Sequence, residues 1–302
     1  LYLFASAKSA GKQVDFMGKN YTVIELTEES VRSRKIDIAL FSAGAGTSGT
    51  FAPIFAECGA IVIDNSSRWR TDPDIPLVVP EVNPEDIAWN HGIIANPNCS
   101  TIQAVVALAP LHKAFGIKRI VYSTYQAVSG AGLGGYTDLE EGIKGNPPKK
   151  FPKPIFGNCL PHIDVFLDNG YTKEEQKMMF ETRKILHDES LKITATTVRV
   201  PVYYGHSESV NVEFRKPVTL EEVKKVLCEA EGVIVMDDPE NGVYPTALEC
   251  ADHDEVYVGR IRLDDSVDSG ANLWIVADNI RKGAATNAVQ IAQRVIAMKE
   301  GK

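Results

Sequence analysis

One cysteine and one histidine carry the chemistry for which this sequence can be read. Cys99 lies in Gly92–Gln103 (GIIANPNCSTIQ). There an apolar run gives way to Asn96-Pro97-Asn98 and then to Cys99-Ser100-Thr101, ahead of an apolar-periodic stretch from Ile102 to Phe115. Ser and Thr are preferred helix caps, so the spacing predicts a helix start with Cys99 at or just before it. Such an end carries partial positive charge and free N–H donors, and both favour thiolate over thiol. The other cysteines lack this setting. Cys58 precedes a turn glycine, Cys228 falls in a helical stretch, and Cys159 and Cys250 fall in polar connecting segments. His206 follows Arg199-Val-Pro-Val-Tyr-Tyr-Gly205, an apolar run broken by a glycine, where a side chain can be presented at a cleft. A thiol and an imidazole far apart in sequence suit nucleophilic catalysis. Hydrolases, acyltransferases and aldehyde-oxidising enzymes all use that pair, and the two residues alone leave the three open.

The elements that must position this pair follow from composition and periodicity. The chain has 302 residues, enough for two domains of roughly 150 residues each. Its 44% hydrophobic and 24% charged content belongs to a globular protein and excludes a disordered or collagen-like one. The net charge of −8, with no long basic run, argues against a nucleic-acid partner. Five cysteines without a CxxC pair argue against a thiolate metal site and fit a reducing, cytoplasmic setting. The apolar runs are too short to span a bilayer, so no membrane partner is expected. Leu1–Ala5 reads as a strand already in progress.

Leu1–Ala5, Ile36–Phe41, Ala60–Ile63 and Gly92–Ala95 are short β-rich runs separated by polar, helix-compatible stretches, with a crossover helix expected in Ser48–Cys58. Runs apolar on both faces suit a parallel sheet covered by helices, an α/β nucleotide-binding pattern. From about residue 119 the texture changes. Arg119–Val128, Ile193–Tyr204, Ser209–Phe214, Val256–Leu263 and Leu273–Asp278 read as longer strands, with helices at Thr172–His187, Thr219–Glu231 and Ala284–Met298. This predicts a mixed or antiparallel sheet with one covered face, an α+β second domain. The proline- and lysine-rich stretch Gly145–Pro154 reads as a solvated surface connector.

Longer motifs narrow the chemistry. Asn96-Pro-Asn-Cys-Ser-Thr101, Ser123-Thr-Tyr-Gln-Ala-Val-Ser-Gly-Ala-Gly132 and Arg199-Val-Pro-Val with Gly205-His-Ser207 closely resemble the aspartate-β-semialdehyde dehydrogenase family. Leu77-Val-Val-Pro-Glu-Val-Asn83, Glu181-Thr-Arg-Lys184 and Val256…Gly259-Arg-Ile-Arg262 match it as well, in the family's order over nearly the whole chain. The resemblance implies an NADP-binding Rossmann-like domain over residues 1–97 and 283–302, and a catalytic and dimerisation domain over 98–282. It implies reversible, phosphate-dependent oxidation of L-aspartate 4-semialdehyde by NADP to L-4-aspartyl phosphate, on the route to lysine, methionine and threonine. A homodimer or homotetramer is implied too, and no metal.

Residue by residue, the resemblance makes Cys99 the nucleophile that forms a thiohemiacetal and then a thioester, which phosphate captures. It makes His206 the general acid/base and Gln126 the group that orients the intermediate. Arg199 is implied for the substrate carboxylate, where a planar fork suits a bidentate pair, and Glu181 for the ammonium. Arg70, Lys184 and Asn98 are implied for phosphate. Ser6, Lys8 and Ser9, after the first strand, match the loop that grips the 2′-phosphate of NADP, and an acidic residue there would favour NAD instead. Gly44, at the end of another strand, allows close backbone approach. Ser129, Gly130 and Asn279 match positions near the nicotinamide.

The family opens with a strand and a Gly-rich turn, G-x-x-G-x-V-G, whereas this sequence starts near the family's second strand. A segment of about thirty to forty residues, the size expected for one such unit, is therefore expected ahead of Leu1. Gly135–Pro161 is also shorter than in many members. Three alternatives remain at this level: an N-acetyl-γ-glutamyl-phosphate reductase, which would need no counter-charge such as Glu181; a thiol hydrolase or acyltransferase, against which the Ser6–Gly11 loop argues; and a non-catalytic subunit.

Overall fold

The computed structural model describes residues 1–301. It divides into two compact units, Leu1–Pro76 with Trp89–Ala95, and Leu77–Ala88 with everything from Asn96 on. The first unit holds a parallel sheet of β4 (Ile38–Phe41), β5 (Ile61–Asp64) and β6 (Ile93–Ala95). The expected crossover helix, α2 (Ala45–Glu57), connects β4 to β5. Val31, Ala52, Phe55 and Val62 form its core, with Phe41 edge-on to Phe55 at 5.0 Å. The run at Leu1–Ala5 supplies β1 (Leu3–Ala5), but β1 does not join that sheet. It pairs in parallel with β3 (Lys19–Glu25), which pairs antiparallel with β2 (Gln13–Phe16).

That hairpin lies where the sequence reads as helix-compatible. Its two-residue turn, Met17-Gly18, has φ of 52° and 72°, the doubly positive turn that matches the twist of paired strands. Polar–apolar alternation over Asn20-Tyr21-Thr22-Val23, with Val23 buried, then favours strand over the polar composition. The short helix α1 (Glu28–Arg32) follows, with a capping box at Thr27.

The second unit is built on a six-stranded mixed sheet in the order β10-β11-β12-β9-β7-β8. Its strands are β7 (Ile117–Gln126), β8 (Lys192–Arg199), β9 (His206–Phe214), β10 (Val233–Val235), β11 (Val256–Leu263) and β12 (Gly270–Ala277). The long strand β7, next to the edge strand β8, runs parallel to β8 and antiparallel to β9. Alternate β7 residues Ile120, Tyr122, Thr124 and Gln126 are buried, so one face is covered. Two helices lie on that face. One is α3 (Cys99–Phe115), whose Gln103 bonds the His206 carbonyl of β9. The other is α5 (Lys173–Leu186), whose Thr182 bonds Tyr122 of β7. The start of α5 is set by a Thr172–Glu175 capping box, as the Ser/Thr-x-x-Glu spacing requires.

The helices α6 (Leu220–Cys228), α7 (Ala247–Cys250) and α8 (Thr286–Lys299) complete the unit, together with α4 (Leu133–Ile143). The sequence division puts residues 283–302 with the nucleotide-binding domain, whereas α8 falls in the second compact unit. Asn287 of α8 donates to the Val78 carbonyl and the Asn96 side chain, and Lys282 just before it pairs with Glu81, all within this unit. Cys250 is buried in α7 rather than in a polar connector, and burial with Glu249 pushes its thiol up to about 12. Among the described residues no helix is long and apolar enough to cross a membrane.

The proline- and lysine-rich stretch is not a free connector. Asp138 on α4 accepts the backbone N–H groups of Lys149, Lys150 and Phe151, each at 2.8 Å. Burial opposes its ionisation, but these three donors outweigh it and hold the carboxyl below the usual range. Such charge-assisted bonds are the strong ones. Asp138→Ala is therefore expected to lower the urea-unfolding free energy at neutral pH by about 2 kcal/mol or more. Because the folded pKa is depressed, this contribution is present above the ordinary aspartate range and lost as pH falls through the folded value. The gap between wild type and variant should accordingly close in acid.

Candidate active site

The ends of three adjacent strands place three side chains in one row on the buried face. Gln126, last in β7, pairs with Arg199, last in β8. His206, first in β9, lies one step beyond the Tyr125–Ser207 pair and thus beside Gln126. The sequence places His206 after a strand; it begins the next one, because the φ of +81° at Gly205 turns the chain into β9. An amide, a guanidinium and an imidazole are thereby fixed by sheet register, and all three are buried.

The loop before α3 brings the thiol to this row. Its cap is Asn98, not Ser100 or Thr101: the Asn98 side-chain oxygen accepts the N–H groups of Ser100 and Thr101 at 3.0 and 3.2 Å. Cys99 is the first helical residue and only partly buried, so its sulfur shares the free N–H groups of the helix end and remains reachable. Each asparagine of the Asn96-Pro97-Asn98 turn is pinned. Asn96 accepts from Asn287 at 2.7 Å and donates to the Ala284 carbonyl. Asn98 donates its backbone N–H to Glu181 at 2.6 Å and its side-chain amide to Glu174 at 2.8 Å. Glu174 also accepts from Gln126, which donates to Ser100 as well. Burial works against ionisation of Glu174, yet Lys177 and the bonds from Asn98 and Gln126 hold its carboxyl below the usual range.

The backbone of Ala127 joins the other two members of the row. Its N–H donates to His206 Nδ1 at 3.0 Å, and its carbonyl accepts from Arg199 Nη1 at 2.7 Å. With Nδ1 accepting, the neutral imidazole carries its proton on Nε2, which has no partner. Burial, and then the positive Arg199, drive the imidazole well below its ordinary value, so this neutral tautomer is the resting form. Burial also lowers the Arg199 guanidinium, against the opposing pull of Glu174 and Cys99. Gly130 lies against both: an added Cβ would stand 2.8 Å from Arg199 Nη1 and 3.3 Å from His206 Nε2. Beside it, Asn279 Oδ1 accepts from both the Ser129 hydroxyl and the Gly205 N–H.

The second unit thus holds Cys99, Gln126, His206, Arg199, Glu181, Asn98, Ser129, Gly130 and Asn279, with Lys184 half-buried on α5. Ser6, Lys8, Ser9, Gly44 and Arg70 belong to the first unit. There Ser6–Gly11 forms a turn after β1 with Ser6 and Lys8 exposed. Gly44 precedes α2 with φ of +83°, and buried Arg70 bonds the Asn65 carbonyl. Sequence reading missed Glu174, which resembles any acid in a first helical turn until its burial is known. It also missed Gly283, in the π-helical turn Arg281–Ala285, whose added Cβ would stand 2.9 Å from Cys99 Cβ. The Lys-Gly-Ala-Ala string gives no sign of that approach.

Comparison with known proteins identifies the family and agrees with the fold. Residues 1–90 match the family model described as semialdehyde dehydrogenase, NAD binding domain, and residues 108–282 that described as semialdehyde dehydrogenase, dimerisation domain. The aspartate-semialdehyde dehydrogenase of Aquifex aeolicus is 57% identical over all of this chain and 90% of its own length. The crystal structure of aspartate semialdehyde dehydrogenase II from Vibrio cholerae, complexed with ASA, superposes with a TM-score of 0.93 at 50% identity, covering 98% of this chain and 89% of that one. The aspartate semialdehyde dehydrogenase of Candida albicans with NADP superposes with a TM-score of 0.77 at 27% identity, over 98% and 90% of the two chains. The alternatives of a hydrolase, an N-acetyl-γ-glutamyl-phosphate reductase and a non-catalytic subunit give way: this chain is an oxidoreductase and belongs to the aspartate-semialdehyde dehydrogenase family.

Proposed function

We propose that the chain catalyses the reversible oxidation of L-aspartate 4-semialdehyde with NADP and inorganic phosphate to L-4-aspartyl phosphate, through a thioester on Cys99. One observation carries this reading: a reachable thiol opens α3 over a buried row that supplies a proton donor, an amide and a guanidinium. Cys99 thiolate attacks the aldehyde carbon, and the carbonyl becomes the alkoxide of a thiohemiacetal. His206 Nε2–H is the donor suited to that oxygen. Because the Ala127 N–H occupies Nδ1, the neutral ring acts on the oxyanion as a donor rather than as a base. The alkoxide re-forms its double bond as hydride leaves, which yields the thioester. A phosphate oxygen then attacks the thioester carbon, and the carbon–sulfur bond breaks to return Cys99 thiolate.

The remaining residues bind and orient. Arg199, its guanidinium oriented by the Ala127 carbonyl, suits the substrate carboxylate, and Glu181, anchored on Asn98, suits the ammonium. Gln126 keeps its side-chain oxygen without a partner and can accept from the intermediate. Arg70, Lys184 and Asn98 are the proposed phosphate ligands. NADP, when bound, supplies the hydride acceptor. The residues offered for it fit: in the first unit the exposed Ser6 and Lys8, with Ser9 and Gly44, bring hydroxyls and a cation with no acid in that turn. In the second unit, Gly130 leaves a side-chain-free surface beside the linked Ser129 and Asn279. The match to a dimerisation domain over 108–282 supports assembly as a homodimer or a homotetramer, and the activity implies a role in making lysine, methionine and threonine in the cytoplasm.

NADPH formation with L-aspartate semialdehyde should continue beyond about one equivalent per Cys99 only when phosphate is present, and Cys99→Ala should abolish it while circular dichroism stays native. Sustained, multiple-turnover NADPH formation without phosphate, or an active Cys99→Ala, would refute the reading. Arg199→Lys is expected to raise the semialdehyde KM by about tenfold or more with a smaller change in kcat, because an ammonium cannot reproduce a bidentate fork. An unchanged KM would remove Arg199 from substrate binding.

A further inference from the structure

Behind the row of His206, Gln126 and Arg199, the sheet carries a second polar row on the same buried face. Register sets Glu208 of β9 beside Thr124 of β7, and Thr124 beside Thr197 of β8, with Ile275 of β12 on the far side of Glu208. All three polar residues are fully buried. The Thr124 and Thr197 hydroxyls have no hydrogen-bond partner, and the Ser100 hydroxyl is the one donor that acts on the Glu208 carboxyl. A buried carboxylate without a cation or a set of donors is strongly unfavourable, so such a group keeps its proton. Burial accordingly pushes the Glu208 carboxyl well above the usual range, with the Ser100 hydroxyl the one group acting in the opposite sense.

Ser100 is the link to the chemistry. It follows Cys99 in the first turn of α3, and its oxygen accepts the Gln126 amide, which leaves the hydroxyl proton to be donated towards Glu208. We propose that Glu208 is a positioning residue for this reaction: an uncharged carboxylic acid beneath the active-site row that orients Ser100, and through Ser100 the Gln126 amide against the Cys99 intermediate. The mechanism above makes no use of it. The ionisable groups on the elements around it are Cys99 on α3, Tyr122 on β7, Arg199 on β8, His206 on its own strand, and Glu174, Glu175 and Glu181 on α5; β12 brings Ile275 and Ala277. Ionised, Glu208 would add a negative charge beneath the thiolate.

The proposal rests on Cys99 as the nucleophile, which the Cys99→Ala comparison tests separately. Infrared spectra of the whole enzyme, with Glu208→Gln as the reference, should show a protonated-carboxyl carbonyl band at neutral pH that this variant lacks. Steady-state rates from about pH 6 to about pH 10 should show a fall at the alkaline end in wild type that is absent or displaced in Glu208→Gln. That variant should keep kcat within about threefold at neutral pH, because an amide replaces an uncharged acid, whereas Glu208→Ala should lose about tenfold in kcat with little change in KM. Three results would overturn the proposal. They are no carboxyl band lost in Glu208→Gln, a Glu208→Gln kcat as low as that of Glu208→Ala, and a folded Glu208→Ala with wild-type kcat. Should Glu208→Ala not fold, the infrared band and the Glu208→Gln profile still decide.

Discussion

Two buried carboxylates on α5 hold Asn98, and the position of the Cys99 thiol follows from that grip. Glu181 takes the Asn98 backbone N–H and Glu174 the side-chain amide, while the same side chain's oxygen caps α3. One residue is thus fastened at three points, and Cys99 is the next in the chain. Buried negative charge beside a thiol proposed to react as an anion is unfavourable by itself. Here it is offset by Lys177, within 3.2 Å of Glu174 and 2.8 Å of Asp164, and by the positive end of α3. Arg199, on which both Glu174 and Cys99 act electrostatically, supplies a further positive charge. The site is an alternation of charges in which no member is left buried alone, and that alternation lets so polar a cluster survive in a folded interior.

A second constraint fixes protons rather than positions. A backbone N–H can only donate, so its bond to His206 Nδ1 decides which imidazole nitrogen carries hydrogen. The carbonyl of the same residue orients Arg199, so the donor proposed for the oxyanion and the fork proposed for the carboxylate are both set by the backbone of one fully buried residue. Gly130 and Gly283 complete the arrangement by absence. A methyl group at the first would press on Arg199 and His206, and at the second on Cys99 itself. The π-helical turn around Gly283 is tied down by the buried Lys282–Glu81 pair at 2.6 Å, and such turns recur at functional sites.

Much of this was legible in the order of residues, and the reasons are local. Helix starts follow a short-range grammar, so the stretch Thr172–His187 was legible as α5, and the Asn-Pro-Asn-Cys-Ser-Thr string placed a helix start at Cys99, although its cap is Asn98 and not the Ser100 or Thr101 expected. The long alternating strands of the second unit were legible because one face is buried. What stayed hidden depends on contacts between distant residues. Glu174 sits in an acidic first turn, a pattern common on solvated helices, and only its encounter with Asn98 and Gln126 gives it a role. The Met17-Gly18 hairpin was masked by its polar composition. Asp138 and the Lys149–Phe151 backbone likewise read as two unrelated surface features until the fold joins them.

The account stands or falls on covalent chemistry at Cys99. The direct measurement is mass spectrometry of peptides from enzyme quenched in acid during turnover with L-aspartate semialdehyde and NADP, with phosphate omitted so that the thioester accumulates. The expected result is an aspartyl acyl increment on the peptide that contains Cys99, and its loss when phosphate is added before the quench. An unmodified Cys99 peptide in enzyme that has reduced NADP, or the increment on Cys58, Cys159, Cys228 or Cys250 instead, would contradict it.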